Sequence, residues 1–188
     1  AEGIQALEST LLYSGWQVTV VAPAEVMSMC GHQITTETPL RVTCHDDRHF
    51  AVYGTPADCV RLGLTELCAQ PPDWVISGIN HGGNLGADIV VSGTVAAVRE
   101  GAYAGVHGIA LSHYKKHGQD FDWAFAADCA LTTIQTLMTD HTLRSGEYWN
   151  VNLPHIATEN GIPDQVHCEP SKQALPVAFV NQQAIGAD

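Results

Sequence analysis

The chain has 188 residues, 45% of them hydrophobic and 15% charged, which suits one domain of ~100–200 residues with a sizeable core and excludes intrinsic disorder. Its 8 Lys+Arg against 20 Asp+Glu give a net charge of −12, which argues against polymeric DNA or RNA, whose phosphates call for clustered Lys and Arg. No apolar run approaches the ~20 residues of a membrane-spanning helix, and no basic stretch followed by a short apolar run marks a signal peptide.

Residues 3–14 carry Ile4, Leu7, Leu11 and Leu12, an apolar stripe at helical spacing that Gly15 ends. Residues 18–22 (VTVVA) then read as a short buried strand closed by Pro23. A loop over 23–33 holds Ser28, Gly31 and His32, and residues 34–53 read as extended pieces around a polar turn at Asp46-Asp47-Arg48. Thr55-Pro56 is a helix start, a capping hydroxyl followed by proline at the first helical position. Cys59, Val60, Leu64 and Leu67 mark the buried face of that helix. Residues 73–77 form the next apolar strand and run into Gly78-Ile79-Asn80-His81-Gly82-Gly83-Asn84-Leu85-Gly86. Ser92-Gly93-Thr94 opens a helix to about Ala104; a strand over 106–112, a helix over 121–139 and a strand over 148–153 follow.

Strands alternating with helices through short loops imply an α/β domain, three-layered and doubly wound, with a mostly parallel sheet of Rossmann-like type. Segments 18–22, 73–77 and 106–112, apolar on both faces, are expected in adjacent or near-adjacent central positions. The core is expected to span 1–154, with 155–188 as an irregular C-terminal arm. The chain opens at a helix rather than at the strand that usually begins such domains, so it reads as part of a longer protein.

The cysteines, Cys30, Cys44, Cys59, Cys68, Cys129 and Cys168, are spread singly with no C-x-x-C pair, which reads as free thiols in a reducing compartment. His45 and His49 are spaced i, i+4 but in a strand-and-turn segment without further ligands, a weak zinc pattern.

Loops 23–33 and 77–92, and less clearly 112–120, follow strand carboxyl ends, the edge where open α/β sheets bind ligands. The first two are rich in Gly, Ser, Asn and His, which leaves backbone amides and neutral oxygens exposed. Ser92-Gly93-Thr94 reads in two ways: as a plain helix cap, or as a phosphate cradle in which amides, hydroxyls and the helix dipole act together.

The motifs in order are more specific than any one of them. VVAP at 20–23, S-x-x-GH-x-IT at 28–35, YGTPADCV at 53–60, DWVISGIN-x-GGNLG at 73–86 and VSGTVAAVREGA at 91–102 together resemble the SurE family, the survival-protein nucleotidases. The resemblance implies a metal-dependent phosphatase that hydrolyses nucleoside 5′- and 3′-monophosphates, with Mg²⁺ or Mn²⁺ as cofactor. It implies Ser28 and Asn80 as metal ligands, and Gly31, His32, Asn84, Ser92, Gly93 and Thr94 as phosphate or substrate contacts. It places no catalytic residue within the chain itself: an aspartate pair that completes the metal site is expected upstream of Ala1. A cytoplasmic homodimer or homotetramer, assembled through the arm, completes the expectation, with nucleoside monophosphates as partners and neither nucleic-acid polymer nor membrane. Met27-Ser28-Met29-Cys30 departs from the family's Arg-Ser-Gly pattern, which bears on loop shape. The rivals are a non-catalytic nucleotide-binding homologue without the metal-binding aspartates, and a structural subunit.

Overall fold

The computed structural model describes residues 2–116, 118, 120–140 and 143–173; the end of the expected arm, 174–188, lies outside them. In chain order the elements are α1 (Glu2–Tyr13), β1 (Val20–Pro23), β2 (Val42–Asp46), β3 (His49–Val52), α2 (Pro56–Leu62), β4 (Trp74–His81), α3 (Asp88–Val91), α4 (Gly93–Tyr103), β5 (His107–His113), α5 (Trp123–Asp140) and β6 (Tyr148–Leu153). A π-helical turn, Gly63–Leu67, extends α2, and a 3₁₀ turn, Thr158–Asn160, follows β6.

The two faces of β4, β5 and β6 explain the layers. Ile109 and Leu111 on one face join Leu7 and Leu11 of α1 and Ala127, Ala130 and Ile134 of α5 in the main core. Ala110, between them in sequence, faces Val95 and Val98 of α4 on the other side. Alternation along one strand thus buries both faces, as parallel sheets require. Burying side chains such as Ile109, Leu111 and Ile134, each 0% exposed, contributes ~1.5–3 kcal/mol apiece.

The expected helix at Thr55-Pro56 forms with a reciprocal cap. Thr55 Oγ1 accepts the Asp58 amide at 3.1 Å, and Asp58 Oδ2 accepts the Thr55 amide at 2.9 Å. Residues 34–53 supply the β2–β3 antiparallel hairpin, with a bulge between Cys44 and Asp46. The other strand pairings are parallel, β1 with β3, β4 with β5, and β5 with β6, and an isolated antiparallel bridge joins Gly82 to His113.

Of the three strands expected in adjacent or near-adjacent positions, 73–77 and 106–112 pair directly, with Ile76 opposite Ile109. Segment 18–22 lies across a cleft from 73–77 and, among the described residues, ladders within the sheet ordered β1-β3-β2. β1 takes its ladder from β3, starting with Val20 N–H to Arg48 O at 2.7 Å. On its other side a cleft of about 1920 Å³ lies between Val18–Pro23 and Trp74–His81, walled by Gly3, Ile4 and Leu7 of α1.

After β6 the chain returns along its own domain as far as it is described. Gln165 Nε2 donates to Thr136 Oγ1 at 3.3 Å, the His167 and Trp149 rings lie 5.2 Å apart, and Ser171 rests against Gly86. All six cysteines are free thiols. His49 bonds Asp46 and Glu8 rather than His45, and among the described residues no group of three or more His, Cys, Asp or Glu could hold a metal ion.

Candidate functional site

The site lies at the carboxyl ends of β1 and β4. β4 pairs on past the expected end of the strand, through the glycines, to Asn80 opposite Ser112 and His81 opposite His113. A bulge between Ser77 and Asn80 accompanies this extension. Gly78 sits at φ +131°, and a Cβ there would lie 2.3 Å from the Leu111 carbonyl oxygen, so only glycine lets the bulge sit against β5. The bulge re-aims Asn80. Its Nδ2 donates to Gly82 O at 2.8 Å, and its Oδ1 accepts no hydrogen bond from the described residues.

Asn84 is 6% exposed and held from several sides. Its Nδ2 donates to Ser112 Oγ at 2.6 Å, its backbone amide to Asn152 Oδ1 at 2.8 Å, and its carbonyl accepts Asn150 Nδ2 at 2.9 Å and Asn152 Nδ2 at 3.1 Å. The chain then makes the short helix α3 and turns at Ser92, which ends α3 and caps α4. Ser92 Oγ accepts the Val95 amide at 3.2 Å and Ser92 O the Ala96 amide at 3.0 Å. The amides of Gly93 and Thr94, the first of α4, have no hydrogen-bond partner among the described residues.

The β1 loop crosses above this helix start. Gly31 N–H donates to Val91 O at 2.9 Å, and Cys30 packs on Gly93. Burial pushes the Cys30 thiol up from its ordinary pKa. Ser28 is exposed on the loop, and no imidazole or carboxylate bonds it among the described residues.

The structure therefore brings Ser28, Asn80, Asn84, Ser92, Gly93 and Thr94 to one cleft. Asp88, in the first turn of α3, lines the same cleft. Gly31 and His32 stand away from its lining. The His32 ring turns down the side of α4, with Nε2 2.6 Å from Glu100 Oε2 and the ring stacked over Tyr103 at 5.9 Å. Glu100 Oε1 also accepts Arg61 Nε at 2.6 Å. Burial raises the Glu100 pKa, the bonds from Arg61 and His32 lower it more, and the carboxyl ends below its usual range. His32 thus ties the β1 loop to a point two turns from the start of α4, ~10 Å along the axis.

Sequence reading missed Asn150 and Asn152 of β6, Ser112 of β5 and the Glu100–Arg61 pair. For the asparagines a signal existed: Tyr148-Trp149-Asn150-Val151-Asn152-Leu153 alternates polar groups through a core strand, where an amide needs a reason to be.

Comparisons with known proteins identify relatives of this chain. A family profile described as "Survival protein SurE" matches residues 1–174. A protein of Nostoc sp. is 44% identical over 179 residues, covering 95% of this chain and 77% of its own. The 5′-nucleotidase SurE of Crocosphaera subtropica is 39% identical over 165 residues, covering 85% of this chain but 59% of its own. Among solved structures, the SurE protein from Aquifex aeolicus superposes with a TM-score of 0.76 at 37% identity, over 85% of this chain and 63% of that one. With the profile spanning nearly the whole chain, and relatives of this similarity, the chain belongs to the SurE family.

Proposed function

We propose that the protein is a phosphomonoesterase that hydrolyses nucleoside 5′-monophosphates, and 3′-monophosphates, to nucleoside and phosphate with a divalent metal, Mg²⁺ or Mn²⁺. The observation that carries the reading is the meeting of Ser28, Asn80 and Asn84 with the open amides of Gly93 and Thr94 on one cleft. Those amides, backed by the dipole of an eleven-residue helix, bind and orient an anionic phosphoryl group without any net positive charge on the protein. Asn84, fixed and almost buried, presents its side chain at a set point of the same wall. A reactant held in this way meets water in one orientation, which is the larger part of what phosphoryl transfer asks of a protein.

The donor set fits a hard cation in kind. Ser28 and Asn80 offer neutral oxygens, and Mg²⁺ or Mn²⁺ takes oxygen ligands. A divalent metal, when bound, supplies an activated water and offsets phosphate charge. Neutral donors alone do not offset dehydration of a dication, which normally engages one or two carboxylates. The aspartate pair that the family resemblance places ahead of the first helix would bring that charge to the right place. Gly3 at the start of α1 is pressed against Ile79, a Cβ there falling 2.2 Å from its carbonyl oxygen, one residue before Asn80.

In this reading residues 1–154 are the catalytic core and 155–188 an assembly arm of a cytoplasmic homodimer or homotetramer. Names of relatives support the activity: 5′-nucleotidase SurE in Crocosphaera subtropica and in Aeromonas hydrophila, the latter 42% identical over 162 residues. The test is phosphate release from AMP by the full-length protein with Mn²⁺ or Mg²⁺, before and after chelation. S28A and N80A should each lower kcat/KM by about a hundredfold. Turnover indifferent to chelation and to both substitutions would overturn the reading, and AMP binding without release would leave a non-catalytic nucleotide-binding module.

A further inference from the structure

β6 presents Tyr148, Asn150 and Asn152 on one face, at every second residue. All three reach the segment between β4 and α4, directly or through one side chain. Tyr148 Oη accepts Arg99 Nε at 3.2 Å, and Arg99 Nη2 donates to Ile89 O at 3.0 Å. Asn150 donates to the Asn84 carbonyl, and Asn152 bonds both backbone groups of Asn84, accepting from its N–H and donating to its C=O.

A carboxamide is the one short side chain that can do the last of these. It offers an acceptor and a donor in one plane, as a neighbouring strand would. An aspartate at 152 would set a carboxylate oxygen against the Asn84 carbonyl, and an aliphatic residue would leave the Asn84 N–H unpaired and its carbonyl with Asn150 alone.

Stability alone does not account for Asn150. Its Oδ1 is buried and has no hydrogen-bond partner among the described residues, so the side chain carries a desolvation cost that an aliphatic residue of similar volume avoids. The strand keeps the amide where a core would be better filled by leucine. What the amide does there is grip Asn84.

We propose that Asn150 and Asn152 are positioning residues for the reaction. They fix the peptide of Asn84, and with it residues 82–91, so that Asn84 and the first amides of α4 face the cleft in one arrangement. This inference rests on the phosphatase reading above. Neither residue lines the cleft, so each acts through Asn84 rather than on substrate.

N152D and N150L in the full-length protein separate positioning from mere support. N150L should keep or raise the urea midpoint while lowering kcat by about tenfold. N152D should lower kcat/KM by about ten- to a hundredfold, with kcat falling more than KM rises, because an ordered loop matters most in the transition state. In both, amide exchange should quicken by about tenfold over 82–91 and stay unchanged in β5 and α5. Wild-type kcat together with wild-type exchange over 82–91 in both variants would overturn the proposal. If N152D does not fold, N150L decides alone. If the unsubstituted protein releases no phosphate, the phosphatase reading fails by itself; exchange over 82–91 then decides the positioning role, faster upholding it and unchanged ending it.

Discussion

Gly93 backs onto Cys30 so closely that a Cβ at 93 would lie 2.9 Å from the Cys30 Sγ and 2.9 Å from Pro56 Cγ. The contact sets the height of the β1 loop, and so of Ser28, above the first amides of α4. Gly93→Ala should push that loop away. The expected result is a loss of about 1–3 kcal/mol in stability, the range of an overpacked contact, with kcat/KM for AMP down by about tenfold or more. Urea unfolding and steady-state kinetics on one preparation check both.

Ser92 caps α4, and the phosphate contact proposed for its hydroxyl can be separated from that role. As a cap it accepts the Val95 amide, and Ser92→Ala should cost about 1 kcal/mol whereas Ser92→Gly should cost only a few tenths. If its hydroxyl also contacts phosphate, both variants should lose kcat/KM by a similar factor of about ten despite unequal stability. Activity that simply tracks stability across the two variants would leave Ser92 as a cap alone.

Asp58, 1% exposed, accepts the Thr35 amide at 2.9 Å, the Thr35 hydroxyl at 2.8 Å and the Thr55 amide at 2.9 Å. Burial pushes its carboxyl up, these bonds pull it down further, and the net shift is downward. Glu100 is shifted the same way. A carboxyl with a lowered native pKa adds stability that is present above the unfolded-state value of ~4 and is lost as pH falls through the native one. The urea midpoint should therefore be level above about pH 5 with respect to these groups and drop below about pH 4. Asp58→Ala should cost about 2–4 kcal/mol at pH 7 and flatten that acid drop.

Thiol labelling gives an independent check on packing. Cys44 and Cys168 are exposed and should react promptly in the native protein, while Cys59 and Cys129 are buried and should react only on unfolding. Burial pushes the Cys59 thiol up to about 12, with the adjacent Asp58 carboxylate adding to it. Native-state modification of Cys59 at the rate of Cys44 would contradict the packing of α2.

Helix and strand positions were largely legible because burial leaves a period. Leu7 and Leu11 marked α1, Thr55-Pro56 marked the start of α2, and the run 148–153 gave β6 with the bounds observed. Partnership leaves no such trace. Segment 18–22 looked as central as 106–112, and its ladder among the described residues is with β3; an apolar strand records that it is covered and not by what. Glycines after Ser77 read as the end of a strand, whereas β4 bulges and pairs on to His81. Ser28, Asn80, Asn84 and Ser92–Thr94, marked by motif, line the same cleft. The direction of His32, toward Glu100 and away from that cleft, depends on a partner 68 residues away that no local pattern names.

Ser28 and the α4 amides come from different parts of the chain, and the loop that carries Ser28 is tied to α4 at two heights. Gly31 N–H bonds Val91 O at 2.9 Å just before the helix starts, and His32 Nε2 lies 2.6 Å from Glu100 Oε2 further along it. Arg61 of α2 shares the same carboxylate through Nε at 2.6 Å. The reach of Ser28 toward Asn80 is then set in part by side chains at the α2–α4 contact, such as Arg61, which do not line the cleft themselves.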